Sequence, residues 1–241
     1  MATFSQKSCL RKLFVIAFFI LPFSAVQAQQ SNQQDHGVIQ EFSNPSNTIH
    51  THPNEVVHGT PFFNKDWDQG HVLLQSGKKT KQMPLKYKIY SNELLFKRQG
   101  KKLAVVPRTM KGFTLMHDGQ KLLFKNGFHS SKYKINPNRL LQVIYDGKVK
   151  VLKKYRVQFM RGQRPDPMSG NITSNFIKHD DYYLVDHNGR FHKIKLKRKD
   201  ILSALGNHQT ALTKYAKSNN LNFGDKNDLE KILSHYDQLN S

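Results

Sequence analysis

The sequence predicts a mainly β protein with α: an antiparallel β-meander or hairpin domain over residues 59–196, closed by a small C-terminal helical cap over 197–241. Three observations predict it. Apolar and polar residues alternate at period two in several short runs. Turn dipeptides separate those runs at roughly 8–12-residue spacing, which marks an antiparallel β-domain rather than βαβ units. After residue 196 the apolar period becomes helical.

Taken in order, Val72, Leu73 and Leu74 run into Ser76-Gly77. Met83, Leu85, Tyr87 and Ile89 fall at strict period two, with Lys86, Lys88 and Tyr90 on the other face, so this is a half-buried strand. Ser91-Asn92 turns, Leu94 and Phe96 resume the alternation, and Gln99-Gly100 turns again before Leu103 to Val106, which Pro107 ends. Phe113 and Leu115, Asp118-Gly119, and Leu122 to Phe124 make a hairpin. Residues 140–145 (LLQVIY), Asp146-Gly147 and KVKVLKKY make a second. Asp-Gly between apolar runs signals a tight turn with positive φ at both positions. Tyr182 to Val185, Asn188-Gly189, Phe191 and Ile194 make a third. Residues 161–175 (RGQRPDPMSGNITSN) interrupt the meander as a long surface loop.

In the tail, Ile201, Leu202 and Leu205 share a helix face that Gly206 ends. Asn207 is expected to cap a second helix with Leu212, Tyr215 and Ala216 inward. Asp225 is expected to cap a third, with Leu229, Ile232, Leu233 and Tyr236 at i, i+3, i+4, i+7. Leu221 and Phe223 should pin the link between the last two. Helices this short need tertiary contacts to persist.

The N-terminus reads as a secretory signal peptide over residues 1–28. Lys7, Arg11 and Lys12 form the positive region, LFVIAFFIL the apolar one, and AVQA the cleavage site. Cys9 lies before the apolar stretch, not after it, so no lipoprotein anchor is expected. Cleavage would remove the chain's one cysteine, and no further stretch reads as a transmembrane segment. Residues 29–58 are rich in Gln, Asn, Ser, His and Pro, lack Lys and Arg, and read as a flexible polar linker. His50, His52 and His58 within it show no recognised ligand spacing, so no metal site is expected there.

The chain has 241 residues, with 38 Lys+Arg against 17 Asp+Glu, a formal charge of +21. Residues 59–196 alone hold 28 basic and nine acidic residues, a difference of +19, whereas the tail is nearly balanced. The β-region is therefore the cationic part. Lysines recur at alternate strand positions: Lys86 and Lys88, Lys148 and Lys150, Lys193 and Lys195. With Lys154, the first four are the candidate ligand-binding residues, read as a surface rather than a pocket. Such lysines also serve as guards against edge-to-edge strand pairing.

No catalytic residues are assigned. The sequence contains no G-x-S-x-G, H-E-x-x-H, P-loop or G-x-G-x-x-G pattern, and no cofactor is implied. Asp180 and Asp181 are strand neighbours that should face opposite ways. His187 and His192 flank the Asn188-Gly189 turn and lack a third ligand. No RNP, zinc-finger or helix-turn-helix pattern occurs, so nucleic acid is not an intended partner.

The segments GTPFFNKDW (59–67), LKYKIYSNELLFK (85–97) and VIYDGKVKVLKKY (143–155) resemble a family of uncharacterised exported proteins of Bacteroidetes-type bacteria. IKLKRKDILSAL (194–205), LTKYAKSNNLNF (212–223) and DLEKILSHYDQL (228–239) extend the resemblance to about 59–241. It implies export, a β-rich body and a helical end, and supplies no catalytic residues. The function expected is an exported cell-envelope protein, periplasmic or envelope-associated, binding an anionic envelope polymer or an acidic protein through its basic surface. The rival expectations are an envelope hydrolase with a site near 161–175 or His187 and His192, and an accessory subunit of an outer-membrane or secretion assembly.

Overall fold

The computed structural model describes residues 39–41, 53–105 and 107–240. The expected signal peptide and the histidines at 50 and 52 lie outside them. The protein is mainly β, as the sequence predicts. Its strands are β1 Ile39–Glu41, β2 Glu55–His58, β3 Asp68–Leu74, β4 Met83–Lys88, β5 Glu93–Arg98, β6 Lys101–Val105, β7 Met110–His117, β8 Gln120–Lys125, β9 Leu141–Asp146, β10 Lys150–Met160, β11 Ile172–Val185 and β12 Phe191–Ile194. They form one sheet in the order β1-β6-β5-β4-β3-β7-β8-β9-β10-β11-β12, with β2 parallel on β11 and the other pairs antiparallel. The described residues contain no helix long and apolar enough to cross a membrane.

From β3 to β12 the sheet is two meanders, β6-β5-β4-β3 and β7 to β12, joined where β7 pairs with β3. β6 and β7 follow each other in sequence but stand four positions apart in the sheet. Val105 is level with Leu94 and Tyr87, two residues beyond the Leu85↔Asp68 pair, whereas Met110 is level with Leu74. In a flat sheet those ends would lie about 19 Å apart across the strands and about 27 Å along them. The five steps from Val105 to Met110 reach at most about 18 Å. The sheet must therefore coil, and the coil closes a core on its inner face.

That core holds Val72, Leu85, Tyr87, Ile89, Leu94, Phe96, Leu103, Val105, Met110, Phe113, Leu115, Phe124 and Leu140. Phe113 and Phe124 stack at 4.6 Å with their planes 6° apart. The Tyr87 hydroxyl donates to Asn92 Oδ1 at 2.9 Å, and burial pushes its pKa up to about 12.

The β9–β12 end is covered on both faces. Val151 and Leu184 face the helices, while Leu152, Tyr183 and Val185 face Ile135, Phe128 and Tyr133 of the 126–140 connection. The alternation seen in sequence is thus two apolar faces, not one apolar and one wet.

The helices are α1 Arg198–Leu205, α2 Gln209–Ser218 and α3 Lys226–Leu239. Asp225 caps α3 as expected, accepting from the backbone N–H of Asn227 and Asp228. The α2 cap differs. His208, in a left-handed conformation, occupies the N-cap and makes no side-chain cap bond. Asn207 instead accepts from the Tyr236 hydroxyl at 2.8 Å and donates to Asn240, tying the α1–α2 turn to α3.

The two Asp-Gly turns also differ. Asp118 and Gly119 both have positive φ, 49° and 74°, as a two-residue hairpin turn requires. Neither Asp146 nor Gly147 does. Gly147 is there for closeness: a Cβ would lie 2.0 Å from Asp237 Oδ2 and 2.6 Å from the Tyr145 hydroxyl. That Asp237 oxygen, near the end of α3, accepts from Tyr145 at 2.6 Å and from the Lys148 backbone N–H at 2.9 Å.

Two parts of the 29–58 stretch are strands rather than linker. β1 pairs with β6, and β2 adds to the outer edge of β11. The Glu55 side chain is fully buried and accepts a short hydrogen bond from Ser174, itself 0 % exposed. A buried carboxylate in a polar run carries no hydrophobic period, which is why composition read this segment as linker. The 161–175 stretch is likewise shorter as a loop, because β11 begins at Ile172.

Candidate anion-binding face

The five candidate lysines do not form one exposed surface. Lys88 and Lys154 are each 8 % exposed. Lys88 lies 4.0 Å from Glu93. Lys154 donates to the carbonyls of Tyr133 and Lys134 at 2.9 and 3.2 Å, and burial, with Arg139 next, lowers its pKa. Lys86 caps the Lys65 carbonyl and stands 4.6 Å over the Phe62 ring, and burial lowers its pKa too. Lys148 is exposed but reaches the Asn240 carbonyl at 2.8 Å. Lys150 pairs with Asp146. Alternation along a strand says which side a lysine takes, not what the chain lays over that side.

A different set of cations gathers on the outer face. His71 and Leu73 of β3, Thr114 of β7, Lys121, Leu123 and Lys125 of β8, and Lys79 of the β3–β4 connection line a cleft. Register explains it: His71 is opposite Thr114, and Thr114 opposite Leu123. Period two then puts Lys121 and Lys125 on the same side as Leu123. His71 Nδ1 donates to the Thr80 carbonyl at 2.9 Å, which leaves Nε2 as the acceptor nitrogen of the neutral ring. Lys125 lies 2.6 Å from Asp146, the acid that also holds Lys150. Lys79 and Lys121 make no ion pair among the described residues. The cleft thus offers ammonium groups over a floor part polar and part leucine.

A second cationic cluster lies on the same sheet face, reached through the pairs Leu123↔Val143, Val143↔Leu152 and Leu152↔Tyr183. Asp181 accepts from Arg156 at 2.8 Å and from Lys193 at 2.7 Å, while Lys154 is opposite it in register. Arg139 adds charge from the 126–140 connection. Its guanidinium caps the Tyr155 carbonyl, and its buried Nε has no partner among the described residues. One carboxylate bonds two cations here, with Lys154 and Arg139 bonded instead to backbone carbonyls beside it.

Burial raises the carboxyl pKa of Asp181, but the bonded Lys193 and Arg156 outweigh it and hold the group below the usual carboxylate range. Asp146 is held low in the same way against its burial, by Lys125 and Lys150. A depressed carboxyl stabilises the fold above its unfolded pKa, and that contribution is lost as pH falls through its folded pKa. The melting temperature should therefore hold from pH 7 to about 5 and fall below about pH 4. In Asp181→Asn the acid side of that profile should be flatter. An unchanged acid slope in the variant would show that Asp181 does not contribute.

The sheet's inner face carries a lysine the sequence reading passed over. Lys153, 9 % exposed, is ion-paired with Asp180 and stands 4.6 Å over the Tyr155 ring and 5.1 Å over Tyr182. Burial alone would lower its pKa. The bonded Asp180, with the two tyrosines, reverses this and holds it above the lysine range. Asp180 and Asp181 thus face opposite ways, each with its own cation. His192 bonds Asp186 at 3.0 Å and His187 bonds Asn188 at 3.1 Å, so these histidines and the acid pair are not brought into one site. No group of three or more metal-ligating side chains occurs among the described residues.

The sequence signal for the cleft and cluster was present in another form. Residues 119–145 contain Lys121, Lys125, Lys132, Lys134 and Arg139 and no acid at all. Set against known proteins, the chain matches no family model, no curated protein and no solved structure.

Proposed function

We propose that this is an exported cell-envelope protein that binds an acidic envelope component on the outer face of its sheet. The observation that carries the reading is the cleft itself, where Lys79 and Lys121, beside Lys125, have no acid partner among the described residues. Ammonium groups massed without counter-charge raise the local potential and draw anions. Export rests on the tripartite N-terminal signal and on the resemblance to exported Bacteroidetes-type proteins. The partner is an anionic polymer of that compartment or an acidic protein, held by charge over a partly apolar floor.

The test is binding of the purified protein to lipopolysaccharide, peptidoglycan, anionic vesicles and duplex DNA across a salt titration. Selective binding to one envelope component at physiological ionic strength is expected. Lys79→Glu with Lys121→Glu should weaken it at least tenfold and leave the melting temperature within a degree or two, because neither side chain is buried. Equal binding to all four, erased by modest salt, would reduce the charge to a non-specific field.

A further inference from the structure

The two cationic sites share one face, and what lies between them is cationic too. The 126–140 connection crosses the sheet there, packing Phe128, Tyr133 and Ile135 against it. It carries Lys132, Lys134 and Arg139 and no acid. Lys132 and Lys134 are exposed. From Lys79 and Lys121, over Lys132 and Lys134, to Arg156 and Lys193, the described acids engaged by this face are Asp146 and Asp181. Each of them is shared between two cations. From β3 to β12 the sheet takes six strand steps. At about 4.8 Å a step the track is about 29 Å long.

We propose that this track binds one linear polysaccharide carrying acidic groups, which lies across the strands and engages the cleft and the Asp181 cluster together. The inference rests on the anion-binding reading of the cleft and adds the form of the ligand. A single anionic group fills one site. A chain that reaches both converts its second contact into an intramolecular one, and affinity rises steeply once its length spans the gap.

The chemistry of the track separates a glycan from a nucleic acid. Single-stranded nucleic acid needs aromatic faces for its bases. The aromatic rings along this track are packed against the sheet: Tyr183 is 3 % exposed, Tyr133 lies 5.0 Å from it with Lys132 at 5.2 Å over its ring, and Phe128 and Phe191 are partly buried in the same cluster. The exposed cations are mostly lysines, which act as mobile point charges, whereas phosphate recognition favours the rigid arginine fork. Spaced point charges on flexible stems suit carboxylate or sulfate groups strung along a sugar chain.

The experiment is calorimetric titration of the full-length protein with heparin oligosaccharides graded from disaccharide to about twenty sugars, at physiological salt. Affinity per chain should stay weak for short oligosaccharides and rise at least tenfold once they span about 29 Å. Arg156→Gln with Lys193→Gln should remove that rise, so that long oligosaccharides bind no more tightly than short ones. Lys132→Gln with Lys134→Asn, both exposed, should reduce it without touching either end site. Tight short-chain binding with no gain in length would overturn the bridging inference and leave the cleft reading standing. No binding at any length would overturn both. Single-stranded DNA of matched length binding as tightly as the long oligosaccharides would overturn the choice of a glycan.

Discussion

Replacing Phe124 by alanine is expected to cost about 3–5 kcal/mol, the range for deleting a fully buried phenylalanine. Phe124 is 0 % exposed and is the aromatic hub of the coiled half of the sheet. Its ring stacks on Phe113 at 4.6 Å and meets Tyr87 at 5.5 Å, Phe63 at 5.6 Å and Tyr155 at 6.1 Å. These neighbours come from β7, β4, the segment before β3, and β10, so the ring joins parts of the chain far apart in sequence. Backbone pairing on both sides of β8 leaves the site little freedom to collapse, which puts the loss toward the upper end. Urea denaturation would read it as a lower midpoint at unchanged slope. Phe124→Leu keeps much of the volume and should cost well under half as much. A Phe124→Ala midpoint within a few tenths of a molar of the parent would show that this core is not shared.

Gly147→Val is the second large expected effect, and it acts on the cap. A Cβ at this position would fall 2.0 Å from Asp237 Oδ2, well inside van der Waals contact. The crowding atoms belong to the Asp237 and Tyr145 side chains, which must swing away from the turn. The movement breaks the bonds that Asp237 accepts from Tyr145 and Lys148. Burial, with the Asp237 carboxylate, holds the Tyr145 hydroxyl far above the usual phenol range, so it remains a donor at any working pH. The expected loss is about 2–4 kcal/mol, from overpacking plus an orphaned polar group. Amide exchange should localise it to α3 and the β9–β10 turn. Asp237→Asn keeps the volume, removes the charge and should cost about 1–2 kcal/mol. If Gly147→Val melts like the parent, the turn and helix are not held together here.

Much of the fold could be read in the sequence because hairpins are local. Period two fixed β4 and β5, Asp118-Gly119 fixed the β7–β8 turn, and the i, i+3, i+4, i+7 spacing fixed α3 with its Asp225 cap. The long-range pairings could not be read. Nothing near Met110 says that β7 returns to the far side of β3, and nothing near Glu55 says that its carboxylate is buried against Ser174. The site failed for a related reason. Lys88 and Lys154 have the alternation of surface lysines, but other parts of the chain cover them. Lys79 and Lys121 sit in no conspicuous pattern and are brought to one cleft only when β8 lies beside β7 and β7 beside β3. The acid-free run 119–145 was the one local clue to a cationic face. Asn207 misled because Asn before a helix usually caps it, whereas here its side chain is engaged by Tyr236.

The parallel pairing of β2 with β11 has a consequence for when the molecule becomes whole. Glu55 and its partner Ser174 are 119 residues apart in sequence. Synthesis delivers β2 early and its template late, so the strand waits while most of the sheet is made. Local hairpins assemble quickly, whereas closing a loop of this size comes at the slow end of folding. A truncated or stalled chain that lacks residues 172–175 has an intact set of early hairpins and a β2 with nowhere to dock. One of the first strands made therefore cannot dock until residues 172–175 exist, which ties the start of the described sheet to a segment made more than a hundred residues later.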